Sequence, residues 1–168
     1  MGFGGGRHFQ SAGRGGSVKK VESFGFSTSA FPSRFSAEGS WSGDVIRFSG
    51  TTIVVGKCYY LKSDGAWTLT SAATPLGEKR LIGLAVGTSS LTDGILINGF
   101  MRLNSGSYNG TATVGNPLYL STTTGQLTFT KPTTSGYVVR VVGYCLVKDG
   151  SNNILINFNP DKTWVVLS

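Results

Sequence analysis

The chain states one pattern twice. Val55-Gly56-Lys57-Cys58-Tyr59-Tyr60-Leu61, Arg80-Leu81-Ile82-Gly83 and Ile95-Leu96-Ile97-Asn98 return in the same order as Val114-Gly115-Asn116-Pro117-Leu118-Tyr119-Leu120, Arg140-Val141-Val142-Gly143 and Ile154-Leu155-Ile156-Asn157, at an offset of 59 or 60 residues. Any β-rich chain repeats apolar strands and glycines. Composition does not also place an Arg ahead of each apolar-apolar-Gly step at a steady offset, so the blocks predict an internal duplication. A body spanning 41–168, made of two similar halves at about 43–104 and 105–168, follows from it.

With 168 residues there is room for one core-forming domain and an appended arm. Charged residues are only 14% of the chain while Gly is abundant, a balance that suits strands and tight turns and leaves little for surface helices. The expected fold is all-β: a duplicated antiparallel β-barrel or β-sandwich with an extended N-terminal arm and almost no helix. Short apolar runs alternate with turn residues in the expected places. Asp44 to Phe48 and Thr52 to Val55 lead in; Cys58 to Leu61 and Trp67 to Thr70 flank Asp64-Gly65; Leu81 to Val86 and Ile95 to Phe100 flank a loop ending in Asp93-Gly94. In the second half, Pro117 to Leu120 and Leu127 to Thr130 surround Gly125, and Tyr137 to Val147 and Ile154 to Phe158 surround Asp149-Gly150, with Asn109-Gly110 a further turn. Gly83 and Gly143 fall inside strand patterns and predict equivalent corners or close backbone approaches. Trp67 and Leu127, like Leu69 and Phe129, hold equivalent positions and predict a similar apolar face in each half, with Trp164 closing the body in a last strand.

Residues 1–40 are different: rich in Gly, Ser and Phe, without an apolar period, and basic, with five cations against Glu22 and Glu38. Isolated aromatics on such a backbone are anchors for grooves on a neighbour. Phe3, Phe9, Phe24, Phe26, Phe31 and Phe35, with Arg7, Arg14, Lys19, Lys20 and Arg34 to pair with acidic rims, are the expected partner-binding residues. The alternative is that this arm folds back on its own body.

Catalytic constellations are hard to assemble. The lone histidine, His8, lies in the arm, so a His-based nucleophile system has nothing to orient its base. Gly39-Ser40-Trp41-Ser42-Gly43 places Trp where a nucleophile elbow needs Ser. Asp64, Asp93 and Asp149 each precede a Gly, where Asp serves the turn. The glycine clusters lack the Lys-Ser/Thr of a phosphate loop, and no metal or other cofactor is implied, since zinc sites want four ligands at short spacing. Cys58 and Cys145 read as buried free thiols, a disulfide requiring an oxidising compartment and suitable geometry. Arg7 and Arg14 beside glycines resemble Arg-Gly segments too sparsely to make nucleic acid the expected partner. Asn109-Gly110-Thr111 fits a sequon, but a hairpin turn explains it better. Met1 to Gly16 has no apolar leader region and no run approaches a membrane span, so synthesis in a cytosol and no membrane partner are expected.

Val114 to Leu120 with Gly125 and Leu127, Val138-Val139-Arg140-Val141-Val142-Gly143-Tyr144, and Ile156-Asn157-Phe158-Asn159-Pro160-Asp161 with Thr163-Trp164 together resemble a module of tailed-bacteriophage virion proteins, and the first half resembles a more divergent copy. The resemblance covers roughly 44–167. It implies a head-decoration (cement) protein or a tail-fibre-type β module: a β body that forms homo-oligomers, often trimers, binds the major capsid protein or other virion proteins, and has no catalytic residues. The expected role is a non-enzymatic capsid decoration protein in the virion. The alternative is a tail, neck or fibre component binding another fibre protein or a host glycan, for which Tyr108 beside Asn109-Gly110 is the candidate stacking face. A Tyr packed against its own sheet is the plainer reading of that residue.

Overall fold

The computed structural model describes residues 33–73 and 80–168. Among these residues the chain is all-β, with one 3-10 turn at Ser33–Phe35 as its sole helical element. The strands are β1 Trp41–Ile46, β2 Cys58–Leu61, β3 Trp67–Leu69, β4 Ile82–Ala85, β5 Ile95–Leu103, β6 Tyr108–Asn109, β7 Pro117–Leu120, β8 Leu127–Thr128, β9 Val138–Val139, β10 Val141–Lys148, β11 Ile154–Phe158 and β12 Val165–Val166.

Turn chemistry sets the hairpins β2-β3, β4-β5, β7-β8 and β10-β11. The three turn aspartates serve their own loops. Asp64 Oδ1 accepts the Ala66 amide at 3.0 Å, Asp93 Oδ2 the Thr88 and Ser89 amides at 2.7 and 3.0 Å, and Asp149 Oδ1 the Ser151 and Asn153 amides at 2.9 and 2.8 Å.

Ten strands form one sheet, curled into a half-barrel, in the order β3-β2-β4-β5-β11-β10-β7-β8-β6 with β1 added to β5; β9 and β12 form a separate pair. From its centre this order reads outward alike: β5, β4, β2, β3 on one side and β11, β10, β7, β8 on the other, which are the strands that the sequence repeat equates. β5 is the spine. β1 covers one of its edges from Ile95 to Met101, while the other edge is shared end to end by β4 at Ile95 and Leu96 and β11 at Gly99 to Leu103. The sheet therefore forks at Ile97 and Asn98, beside the register shift in the β1-β5 pairing. The two wings meet again at Gly125, whose carbonyl accepts the Cys58 amide at 2.9 Å and whose amide donates to the Thr70 carbonyl at 2.7 Å. Gly125 has φ 73°, and a Cβ there would lie 2.7 Å from Leu69 Cδ2, so this closure requires glycine.

Between the wings lies the main core, with Cys58, Leu84, Leu96, Met101, Leu118, Leu127, Cys145, Ile156 and Phe158 among its members. A second cluster of Ile53, Tyr59, Trp67, Ala85 and Ile95, with Phe48 against Trp67 at 5.7 Å, covers the other face of the first wing. Here the expectation of similar apolar faces is corrected. Trp67 and Leu127 are both buried but in different clusters, because segment 46–55 overlies the first wing and gives its strands a second apolar face to pack.

Three other expectations change. Thr52 to Val55 makes no strand beyond the bridge Thr52 to Ser89, because its amides go elsewhere: Ile53 to the Thr88 carbonyl and Val54 to the Tyr59 hydroxyl. The run Tyr137 to Val147 breaks at Arg140, where the backbone changes partners from β12 to β7. The sheet is not wholly antiparallel, since β6 runs parallel to β8 after the chain leaves β5. Gly83 and Gly143 behave as the repeat predicts: a Cβ would lie 2.7 Å from the Leu96 carbonyl oxygen in one case and 2.1 Å from that of Asn157 in the other.

Candidate functional site

Two features stand out, the root of the N-terminal segment and the groove at the fork. Of the expected partner-binding residues, Phe3, Arg7, Phe9, Arg14, Lys19, Lys20, Phe24, Phe26 and Phe31 lie outside the described residues; Arg34 and Phe35 lie within them. Phe35 is wholly buried, packed on Phe100, Leu146, Val147 and Leu155. That corrects one expectation: this ring is committed to the chain's own core, because β5, β10 and β11 leave an apolar seat on the outer face of the sheet. Arg34 is exposed, its guanidinium 5.3 Å from the Phe35 ring centroid.

Polar contacts lock the same stretch. Arg102 Nη1 donates to the Phe35 carbonyl at 3.3 Å and to the Ser36 carbonyl, and its guanidinium lies 3.8 Å from Asp149 Oδ2. The Gly39 amide donates to the Arg102 carbonyl at 3.0 Å and the Arg102 amide to that of Ser40 at 2.9 Å, continuing the β1-β5 ladder. Glu38 accepts from the Ser107 hydroxyl at 3.1 Å and from the Asn104 amide. Residues 33–40 are thus built into the body.

The fork opens a groove of about 360 Å³ lined by Leu81, Ile82, Ile97, Asn98, Arg140, Asn159, Pro160 and Lys162. Arg140, 7% exposed, pins its mouth: Nε donates to the Asp161 carbonyl at 2.7 Å and Nη1 to the Arg80 carbonyl at 3.0 Å. One repeat arginine therefore caps the backbone of its equivalent across the fork. The Arg140 guanidinium also lies 5.7 Å from the Trp164 ring centroid. Burial pulls its pKa below the ordinary guanidinium value, with Cys58 and Asp161 acting in the opposite sense; a guanidinium starts so high that it stays charged. Beside this groove, Val139, Val141, Asp161, Thr163, Trp164 and Val165 line a smaller one of about 210 Å³, and Leu81, Trp164, Val165 and Val166 are exposed apolar surface.

Other candidates resolve into structure. Tyr108 is buried, donates its hydroxyl to the Asn152 carbonyl at 2.6 Å and meets Phe129 edge to face at 5.5 Å, which is the plainer reading of a Tyr packed against its own sheet and leaves the alternative of a glycan-stacking face without its candidate. Asn109 Nδ2 donates to Ser121 Oγ at 2.7 Å and to Gln126 Oε1 at 3.2 Å, which engages the nitrogen of the sequon with the loop between β7 and β8. Cys58 and Cys145 are free and buried, and burial pushes the thiols up to about 12 and about 11. A thiol this hard to ionise is a poor nucleophile. No spacing or motif marks Lys162, Leu81 and Asn98 as neighbours; the paired Arg80 and Arg140 were the available signal. Comparison with family models, with curated proteins and with solved structures finds no match to this chain.

Proposed function

We propose that the chain is a non-enzymatic structural protein of a bacteriophage virion, a capsid decoration protein whose β body sits on the head while residues 1–32 lace it to the major capsid protein or other virion proteins. The observation that carries this reading is the root. A segment that holds a particle together must pass load to its body, and residues 33–40 are tied in by the buried Phe35 ring, a β ladder to Arg102 and the Glu38 hydrogen bonds. The mirrored strand order supports reading the body as two copies of one unit, a duplicated barrel-like domain. Exposed Trp164, Val165 and Val166 offer apolar surface for the homo-oligomer, a trimer in the first instance, that such a protein would form. Many weak contacts repeated over a shell add to a large stabilisation.

Removing residues 1–32 while keeping the root is the test. The shortened chain should fold with an unchanged melting temperature and fail to join particles; full incorporation would refute the lacing role. A tail, neck or fibre position uses the same root and body, but Tyr108 no longer argues for a glycan there.

A further inference from the structure

We infer that the pocket beside Lys148, at the end of β10, binds a phosphate group, either free or carried by a small molecule. The two halves of the chain differ at this point. In each half the segment leading into β2 or β7 is laced to β4 or β10 by matched backbone bonds: the Gly56 amide donates to the Ala85 carbonyl at 2.9 Å and the Gly115 amide to that of Cys145 at 2.8 Å, while the Lys57 and Asn116 amides turn back onto the Val54 and Thr113 carbonyls at 3.1 Å. The next rung exists in the first half alone. There the Ile53 amide donates to the Thr88 carbonyl at 2.9 Å, whereas no such bond joins Ala112 to Lys148, their equivalents at offsets of 59 and 60 residues. The register shift of β10 between Cys145 and Val147 falls just before this gap, and a pocket of about 270 Å³ is lined by both Ala112 and Lys148.

The open rung leaves donors without acceptors. Gly110, Thr111 and Ala112 line the pocket in succession, and their amides have no acceptor among the described residues, although Ala112 is only 6% exposed. Buried amides are nearly always paired. Gly110 is left-handed at φ 82°, and successive free amides around such a residue make the concavities in which backbone holds anions. Lys148 is half-buried and makes no hydrogen bond or ion pair among the described residues. The Ser105 and Thr111 hydroxyls and the Asn152 side-chain amide add neutral donors on the same lining.

Among the described lining residues Lys148 supplies the charge, so the site is cationic. Asp149, next along the chain, gives its carboxylate to the Ser151 and Asn153 amides and lies 3.8 Å from the Arg102 guanidinium, which balances it. A phosphate presents several acceptor oxygens to these donors, and its bonds to N–H groups are of the strong, charge-assisted kind. Nucleic acid is the weaker occupant, since it wants stacking platforms and a line of cations, and Tyr108, the aromatic on this lining, is buried with its ring against Phe129. The assignment stands independently of any place in a particle.

The probe is inorganic phosphate, titrated into the isotope-labelled full chain at constant ionic strength and followed by the NMR shifts of its backbone amides. Saturable shifts are expected at Gly110, Thr111 and Ala112. Lys148→Gln should weaken binding about tenfold or more and Thr111→Val about threefold, as losing one charged and one neutral hydrogen bond would. Lys62→Gln, at an exposed lysine paired with Asp64, should leave it unchanged. Thr111 is exposed, so its variant reads the site even if Lys148→Gln lowers the melting temperature. Glycerol phosphate binding more tightly than the free ion at the same amides would assign a small phosphate monoester, and its exclusion would assign the free ion. Amides that stay still up to tens of millimolar phosphate, equal shifts with chloride, or unaltered affinity in both site variants would overturn the proposal. So would a thymidine oligonucleotide that displaces phosphate and binds more tightly, which would give the pocket to nucleic acid.

Discussion

Phe35 decides whether the segment before the body is attached to it. Its ring is wholly buried against Phe100, Leu146, Val147 and Leu155, and truncating a buried Phe to Ala removes about 3 kcal/mol or more. Phe35→Ala should lower stability in urea by about that amount; a loss below about 1 kcal/mol would show that the root is held by its hydrogen bonds alone. Acid should act through the turn aspartates. At Asp149 burial pushes the carboxyl up, but hydrogen bonds from the Asn153 side chain and from the Asn153 and Ser151 amides, with Arg102 nearby, outweigh it and leave the pKa below the ordinary value. At Asp93 the Ser89 and Thr88 amides do the same. A carboxyl depressed in the folded state contributes stability that is present above the unfolded value, about 3.9, and is lost as pH falls through the folded one. The melting temperature should therefore hold from about pH 7 to 5 and drop below about pH 4. Asp149→Asn should reduce that drop, and an unaltered acid profile in the variant would assign it to other groups. Single residues were legible where their role is local: Asp before Gly in a turn needs nothing from afar. Phe35 was visible as an anchor, but whether its seat lay in its own chain or another depends on β5, β10 and β11 converging, which no spacing encodes.

At the scale of elements, the glycines inside strands set how closely the sheet can fold. A Cβ on Gly143 would come within 2.1 Å of the Asn157 carbonyl oxygen, a backbone atom that cannot swing away, whereas nothing lies within 4 Å of one on Gly150. Gly143→Ala should cost about 2 kcal/mol or more in chemical denaturation, while Gly150→Ala should stay within about 0.5 kcal/mol of the parent. Equal effects would mean that β10 does not pack on β11 as closely as this. The hairpins were readable because alternation and turn residues act over a few positions. The break at Arg140 was not, because Val138 and Val139 pair with β12 and Val141 with β7, and one apolar run cannot announce two distant partners. The parallel β6-β8 pair was hidden for the same reason.

On the scale of the whole molecule, the strands that carry the repeated sequence blocks take mirrored places about β5 and β11. The fork could not be foreseen, since it arises from a register shift beside Ile97 and from two strands sharing one edge of β5. The result is a body closed at Gly125, pinned by Arg140 across the opposite opening, and rooted through Phe35 to the segment proposed to lace it into a particle. The most direct measurement is electron microscopy of intact particles carrying a label at the C-terminus, near Ser168. The account predicts label spread over the head in a regular lattice, lost when residues 1–32 are removed. Label confined to the tail, neck or fibres, or absent from particles altogether, would contradict it.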